Sequence, residues 1–288
     1  MDLIANDMLI HALIGLLVVG AFGVLSIKLK IVTISGLIAG FIVGYVVWFF
    51  GGWTWFIIIL MFHLSAAFFT KFKYKRKVKE GLAQEKGGAR PWSNVFANGG
   101  FPTICAALDG IFVLLILGGF FDIFLFGFIG AVATMTADTI ATETGLLSKT
   151  NPRLVTKWSK VVEPGTSGGV TILGELGALV GTVIIGGMAW LLAGLGVLTS
   201  AFTYQLLIAA IISGMIGCLI DSIFGATIQG IFQCNVCNKI TEKAKHCGAK
   251  STHLRGLAFF ENNTVNFVAS MSGGLIAMLI FVIFSIGM

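Results

Sequence analysis

Apolar residues run through this chain in long stretches, interrupted by charged or Gly/Pro-rich breaks. A helix needs about 20 mostly apolar residues to cross the hydrocarbon core of a bilayer. Eight stretches meet that length, near residues 8–27, 31–50, 53–70, 101–119, 123–143, 169–193, 203–228 and 264–286. The first follows Asp2 and Asp7, without a basic leader or a small-residue cleavage site, so a retained helix is expected rather than a signal peptide. The pattern predicts an all-α polytopic membrane protein with about eight transmembrane helices. It divides at residue 93 into an N-terminal three-helix membrane region with a basic loop (1–93) and a membrane core (94–288) carrying a Cys-rich loop at 229–262.

Composition removes the soluble alternative: 57% of residues are hydrophobic and 11% charged, with a mean hydropathy of +0.97. The basic residues also orient the chain. Lys28 and Lys30, the group from Lys71 to Arg90, Lys149 to Lys160, and Lys239 to Arg255 all fall in odd-numbered connections, whereas the even side carries only Asp2, Asp7 and Asp122. Basic loops stay cytoplasmic. The expectation is therefore a protein integral to the cell membrane, with both termini outside and the basic loops in the cytoplasm. The net charge of +6 then belongs to loops facing lipid headgroups or an anionic substrate, and no nucleic-acid partner is expected.

Ionisable residues within membrane helices are costly and mark function. Asp109, Asp138, Glu143, Glu175 and Asp221 are such residues. Counted from the breaks that flank them, Asp109, Asp138, Glu175 and Asp221 should each lie roughly 10 Å inside the cytoplasmic boundary. That depth predicts one acid-lined pocket, and hard carboxylate oxygens suit Mg²⁺.

Two glycine-rich segments at that depth have anion-binding chemistry. "VVEPGTSGGV" sets Pro164, Gly165, Thr166, Gly168 and Gly169 before a helix, with Lys157 and Lys160 upstream; free N–H groups and a positive dipole end could face a phosphate there. "SNVFANGGFPT" repeats the idea with Asn98, Gly99, Gly100 and Pro102. Glycines also serve helix packing, and no Walker A pattern or dinucleotide fingerprint occurs.

"ADTIATETG" at Ala137 and "IDSIFGATIQG" at Ile220 each place an Asp and a hydroxyl residue at the end of one helix, before a basic loop and a returning helix. This reads as a parallel two-helix internal repeat that brings Asp138 and Asp221 to one site. Ser222 and Gln229 fall in the second copy, and its returning helix opens with Asn262, Asn263 and Asn266, carboxamides able to orient a phosphate, a metal or a base. In the last basic loop, "CNVCNKITEKAKHC" has the ligand types and spacing of a small structural Zn²⁺ site at Cys234, Cys237, His246 and Cys247; unligated thiols are the alternative.

"ADTIATETG", "PGTSGGVTILG", "DSIFGATIQ" and "NNTVN", in that order from about Asn94 to Phe267, resemble the membrane family that contains plant phytyl-phosphate kinase and the animal transmembrane protein 19. The resemblance implies a CTP-dependent kinase that converts a prenyl monophosphate to the diphosphate, related to phytol and dolichol kinases. Asp138, Lys160, Glu163 and Gly165 echo the Asp helix, Lys and Glu-Gly turn of those relatives. The expected catalytic set is Asp138, Glu143, Asp221 and Lys160, with Mg²⁺ on Asp138, Asp221, Glu143 and Asn263. CTP as co-substrate is expected on Asn98, Gly99, Lys157, Pro164, Gly165, Thr166, Gly168, Gly169, Ser222, Gln229, Asn262, Asn263 and Asn266. A cytidylyltransferase making a CDP-linked lipid, and a secondary transporter of an anionic or lipid substrate, are the alternatives. Oligomeric state is left open.

Overall fold

The computed structural model describes residues 2–116 and 122–287; the end of the expected 101–119 span lies outside them. Seven long apolar helices follow the hydropathy: α1 (Asp2–Lys28), α2 (Ile34–Lys71), α4 (Trp92–Ile116), α5 (Asp122–Gly145), α6 (Ile172–Gly194), α7 (Tyr204–Thr227) and α8 (Asn262–Ile286), with a short basic α3 (Tyr74–Lys79) after α2. At 38 residues, α2 is far longer than one crossing requires. It doubles back at Gly52, where φ is +78° and ψ −177°, a conformation that favours glycine. Its two arms, 34–51 and 53–71, pack antiparallel: the Trp48 and Phe56 rings lie 5.5 Å apart. The far ends also meet, since Thr33 N–H donates to Arg90 O at 3.0 Å while Gly88 packs on Thr70. Among the described residues, seven helices thus offer eight segments long enough to cross a bilayer.

The buried centre is α5, packed by α2, α4, α6, α7 and α8. Small residues let backbones approach where lipid offers no hydrophobic gain for helix association: a side chain at Gly181 of α6 would meet the Ala137 backbone at 3.0 Å. Aromatic pairs fill the half of the bundle away from the basic loops, with Trp55 and Phe128 rings 4.7 Å apart and Phe126 5.3 Å from Phe281. The opposite half is polar. Asp138 and Asp221 sit about two turns from the ends of α5 and α7 on the basic-loop face.

Two antiparallel sheets cap that face. β1 (Arg153–Leu154), β2 (Lys157–Val161) and β3 (Gly169–Val170) lie between α5 and α6 in the order β2-β1-β3. β4 (Ile231–Cys234), β5 (Ile240–Thr241), β6 (Lys245–His246) and β7 (Ala249–Arg255) lie between α7 and α8 in the order β5-β4-β7-β6. Both units run helix, sheet, helix, although the sheets differ in strand number and order. These sheets are additions to the all-helical expectation.

Two expectations are corrected. The segment "SNVFANGGFPT" is helical, because α4 begins at Trp92 and carries Pro102 inside it. Proline is tolerated within a membrane helix when neighbours satisfy the freed backbone groups. Counting from Pro102 therefore misplaced Asp109 by about ten residues of helix. It lies at the opposite face in a cavity of about 450 Å³ with Asp7, His11 and Asp122.

Candidate functional site

A cavity of about 750 Å³ opens on the basic-loop face, between the ends of α5, α6, α7 and α8 and beneath the two sheets. Asp138 and Asp221 enter it from neighbouring helices, and their carboxyl groups meet. The close approach follows from small residues between the helices: Gly214 and Gly217 of α7 pack on Ala133 and Thr134 of α5. Glu143 and Glu175 also line the cavity, so four of the five expected acids converge, and Asp109 does not.

Glu143 is already engaged. It is 1% exposed, and its Oε2 accepts from Lys77 Nζ at 2.5 Å; Lys77, 0% exposed, also donates to Phe69 O at 2.9 Å. Its Oε1 lies 3.9 Å from Arg90 and accepts no hydrogen bond. Among the described residues, Asp221 Oδ1 and Gln229 Nε2 on the same wall are likewise buried without a hydrogen-bond partner. Buried polar atoms of that kind normally have partners, and a cluster of them lining one open cavity is met by water or by a polar ligand. Burial draws Arg90 below its ordinary pKa, while the charges of Glu143 and Asp138 oppose that shift.

The PGTSGG turn forms the roof. A two-residue strand, β3, separates it from α6, so it does not run directly into the helix as expected. Thr171, the N-cap, supplies its hydroxyl to Gly174 N–H at 3.0 Å. Gly165 and Gly168 adopt φ of +85° and +77°, and a side chain at Gly168 would strike Ala226. Among the described residues the N–H groups of Gly165, Ser167 and Gly168 donate to no backbone oxygen. Ser167 Oγ donates to Glu242 Oε1 at 2.5 Å, joining this turn to the second sheet. Arg255 donates to Ala226 O at 2.7 Å and closes the α7 C-terminus.

Of the expected ligands, Pro164 to Gly169, Ser222, Gln229, Asn262 and Asn266 line the cavity, as does Asn98, whose Oδ1 accepts from Asn266 Nδ2 at 3.1 Å. Lys157 and Lys160 lie on exposed β2, outside the lining. Asn263 is half-buried off the lining, and Gly99 faces a second cavity. Sequence reasoning passed over Lys77, Arg90, Asn94, Glu242 and Arg255, which are distant in sequence and carry no local motif.

That second cavity is an apolar groove of about 140 Å³ between α1, the two arms of α2 and α4. It shares Arg90, Asn94, Asn98 and Thr139 with the acid-lined cavity, so the two spaces meet along one polar edge.

In the second sheet, one ligand atom from each of Cys234, Cys237, His246 and Cys247 lies within 4.8 Å of the others. Backbone N–H groups of Cys237 and Val236 pull the Cys234 thiol down to about 6, while its sulfur neighbours, Cys237 first, push Cys247 up to about 11.

The chain matches the family described as "Integral membrane protein DUF92" over residues 17–274. It is 34% identical to Protein PGR of Arabidopsis thaliana over 85% of this chain and 87% of that one. It is 27% identical to Uncharacterized membrane protein MJ0933 of Methanocaldococcus jannaschii over 98% of this chain and 99% of that one. Identity to Protein VTE6, chloroplastic, of Arabidopsis thaliana is 26% over 68% of this chain and 56% of that one. No solved structure matches. With the family match spanning most of an eight-crossing helical bundle, the chain belongs to the DUF92 family of integral membrane proteins.

Proposed function

We propose that the chain is a CTP-dependent prenyl-phosphate kinase, acting on phytyl- or geranylgeranyl-type monophosphates at the cytoplasmic face of the cell membrane, with both termini outside. One observation carries this reading: an apolar groove among membrane helices and an acid-lined cavity share an edge made of Arg90, Asn94, Asn98 and Thr139. An amphiphile with a hydrocarbon tail and an anionic head matches that pairing. The motif resemblance to the family of plant phytyl-phosphate kinase supplies the substrate class.

In this reading the tail lies in the groove and its phosphate meets Arg90, a planar donor suited to phosphate oxygens. The larger cavity takes CTP, its phosphates beneath the PGTSGG turn and its base among Asn262, Asn266 and Gln229. Asp138 and Asp221 would hold Mg²⁺: two meeting carboxyls repel when both ionise, and Asp221 Oδ1 has no hydrogen-bond partner. When bound, the ion neutralises charge on the transferring phosphoryl group. Glu143 acts one step back, holding Lys77 and facing Arg90. Lys157 and Lys160, being exposed, steer the nucleotide rather than touch it.

An oxygen of the acceptor phosphate attacks the γ-phosphorus in line; the bond to the β-phosphate bridging oxygen breaks, and CDP leaves with its electron pair. The nucleophile is already ionised, so no general base is assigned. The chain's contribution is alignment of two phosphates and exclusion of water from the space between them.

The test is incubation of the detergent-purified protein with Mg²⁺, phytyl, farnesyl or geranylgeranyl monophosphate and each of four γ-labelled nucleotides, and in parallel with α-labelled CTP. Label in a prenyl diphosphate, chiefly from CTP, is expected. Lipid labelled only from α-labelled CTP would indicate cytidylyl transfer instead, and no labelled lipid from any nucleotide would overturn an enzymatic reading.

A further inference from the structure

The sheet between α7 and α8 has little to hold it together by ordinary means. Its outer strands, β5 and β6, are two residues long, and only Ile231, Phe232 and Cys234 within it are buried hydrophobics. Short hairpins of this kind are marginal in water. The turn after β4 carries Cys237 and ends at Asn238 with φ +58°, and the turn after β6 carries Cys247 and Gly248 at φ +51° and +76°. These tight turns point four soft ligands at one another. His246 Nδ1 lies 3.2 Å from Cys247 Sγ and 3.5 Å from Cys237 Sγ, while Cys234 Sγ, completely buried, accepts from Val236 N–H at 3.4 Å.

We infer that Cys234, Cys237, His246 and Cys247 bind one structural Zn²⁺ ion, which clips the β4–β5 and β6–β7 hairpins together and holds Glu242 against the cavity roof. Three sulfurs and one imidazole make a closed tetrahedral set with no position left for water. With Zn–S bonds of about 2.3 Å, the sulfurs of an occupied site stand roughly 3.8 Å apart and the imidazole nitrogen slightly nearer each, so atoms already within 4.8 Å of one another need only small shifts. The backbone N–H aimed at Cys234 offsets thiolate charge, as outer-shell donors do in such sites. All three sulfurs bind as thiolates, and the protons of those still protonated pass to solvent. Glu242 directly follows β5 and accepts from Ser167 of the PGTSGG turn. The ion therefore governs the placement of a cavity-lining residue without entering the cavity. This assignment stands independently of the reaction proposed above.

The full chain, expressed with zinc and purified in detergent without chelator, is assayed for metals by mass spectrometry. About one zinc per chain and no iron is expected. The exposed-ligand variants Cys237→Ser and Cys247→Ser should each lose at least about 10-fold in zinc retention. Folding is followed separately: tryptic cleavage at Lys239, Lys243 and Lys245 should be slow in the zinc-loaded chain and fast after chelation, with the membrane helices intact by circular dichroism. Cobalt loading should give the intense red-region d–d absorption of tetrahedral thiolate coordination. Zinc content near zero in a folded wild type, a mapped Cys234–Cys237 disulfide, an iron chromophore, or zinc content unchanged in both variants would overturn the assignment.

Discussion

Replacing Lys77 by methionine strands Glu143 beneath the basic-loop face. The two side chains are each 1% exposed and meet at 2.5 Å, and the Lys77 ammonium also closes the end of α2 through Phe69 O. Taking away one partner of a buried pair leaves an uncompensated charge and costs about 3–5 kcal/mol. Arg90, 3.9 Å from the other carboxylate oxygen, offsets part of that, which places Lys77→Met near the lower end, about 3 kcal/mol. For a chain of this size the unfolding midpoint should fall by about 5 °C. Glu143→Gln removes the charge but leaves the ammonium buried, with a similar loss. The double variant Lys77→Met/Glu143→Gln, with neither charge left buried, should lose about 3 kcal/mol in all, no more than either single, giving a coupling energy of about 3 kcal/mol. Intrinsic tryptophan fluorescence during heating in one detergent, applied to all four proteins, reads the cycle. Additive losses below about 1 kcal/mol each would mean that water reaches the pair, and would refute both the burial and the role of Glu143 as an anchor.

Asp138→Asn and Asp221→Asn should each lower phosphoryl transfer by at least about 100-fold with thermal stability unchanged or raised, because each removes a meeting carboxylate; Asp109→Asn, on the opposite face, should retain near-normal transfer, and its inactivity would disprove the separation. Gly40 lines the apolar groove with no atom within 4 Å of the point where a Cβ would stand, so Gly40→Phe should raise KM for long-tailed acceptors by about 10-fold or more while sparing short-tailed ones; equal effects on both would remove the groove from tail binding. Gly52→Ala should cost about 1–3 kcal/mol, read as a lowered midpoint, since the space around it is open and only its φ of +78° resists a side chain; an unchanged midpoint would count against the doubled-back α2.

The membrane-spanning character and the number of crossings were legible because bilayer thickness sets a length that hydropathy reports directly. Even the double-back in α2 was foreshadowed, since Gly51 and Gly52 separate two runs each long enough to cross. Convergence of Asp138 and Asp221 was likewise readable: both sit near the end of a helix at a depth that counting recovers when the helix end is correctly placed. Asp109 shows the limit of that counting, because Pro102 looked like a helix start and lies within α4.

Sequence alone determined that the chain is built to lie in a bilayer, which face is basic, and which acids are costly to place in membrane helices, since each is a one-dimensional property of solvation and length. Tertiary structure alone decided that Lys77 neutralises Glu143 from 66 residues away, that Arg90 and Asn94 stand between a greasy groove and an acidic cavity, and that Lys157 and Lys160 lie outside it. Those are pairings between segments with no shared period or spacing. Only the packing of α2, α3, α4 and α5 around one another brings them together, because a salt bridge or a cavity edge is a matter of distance in space and leaves no periodic trace along the chain.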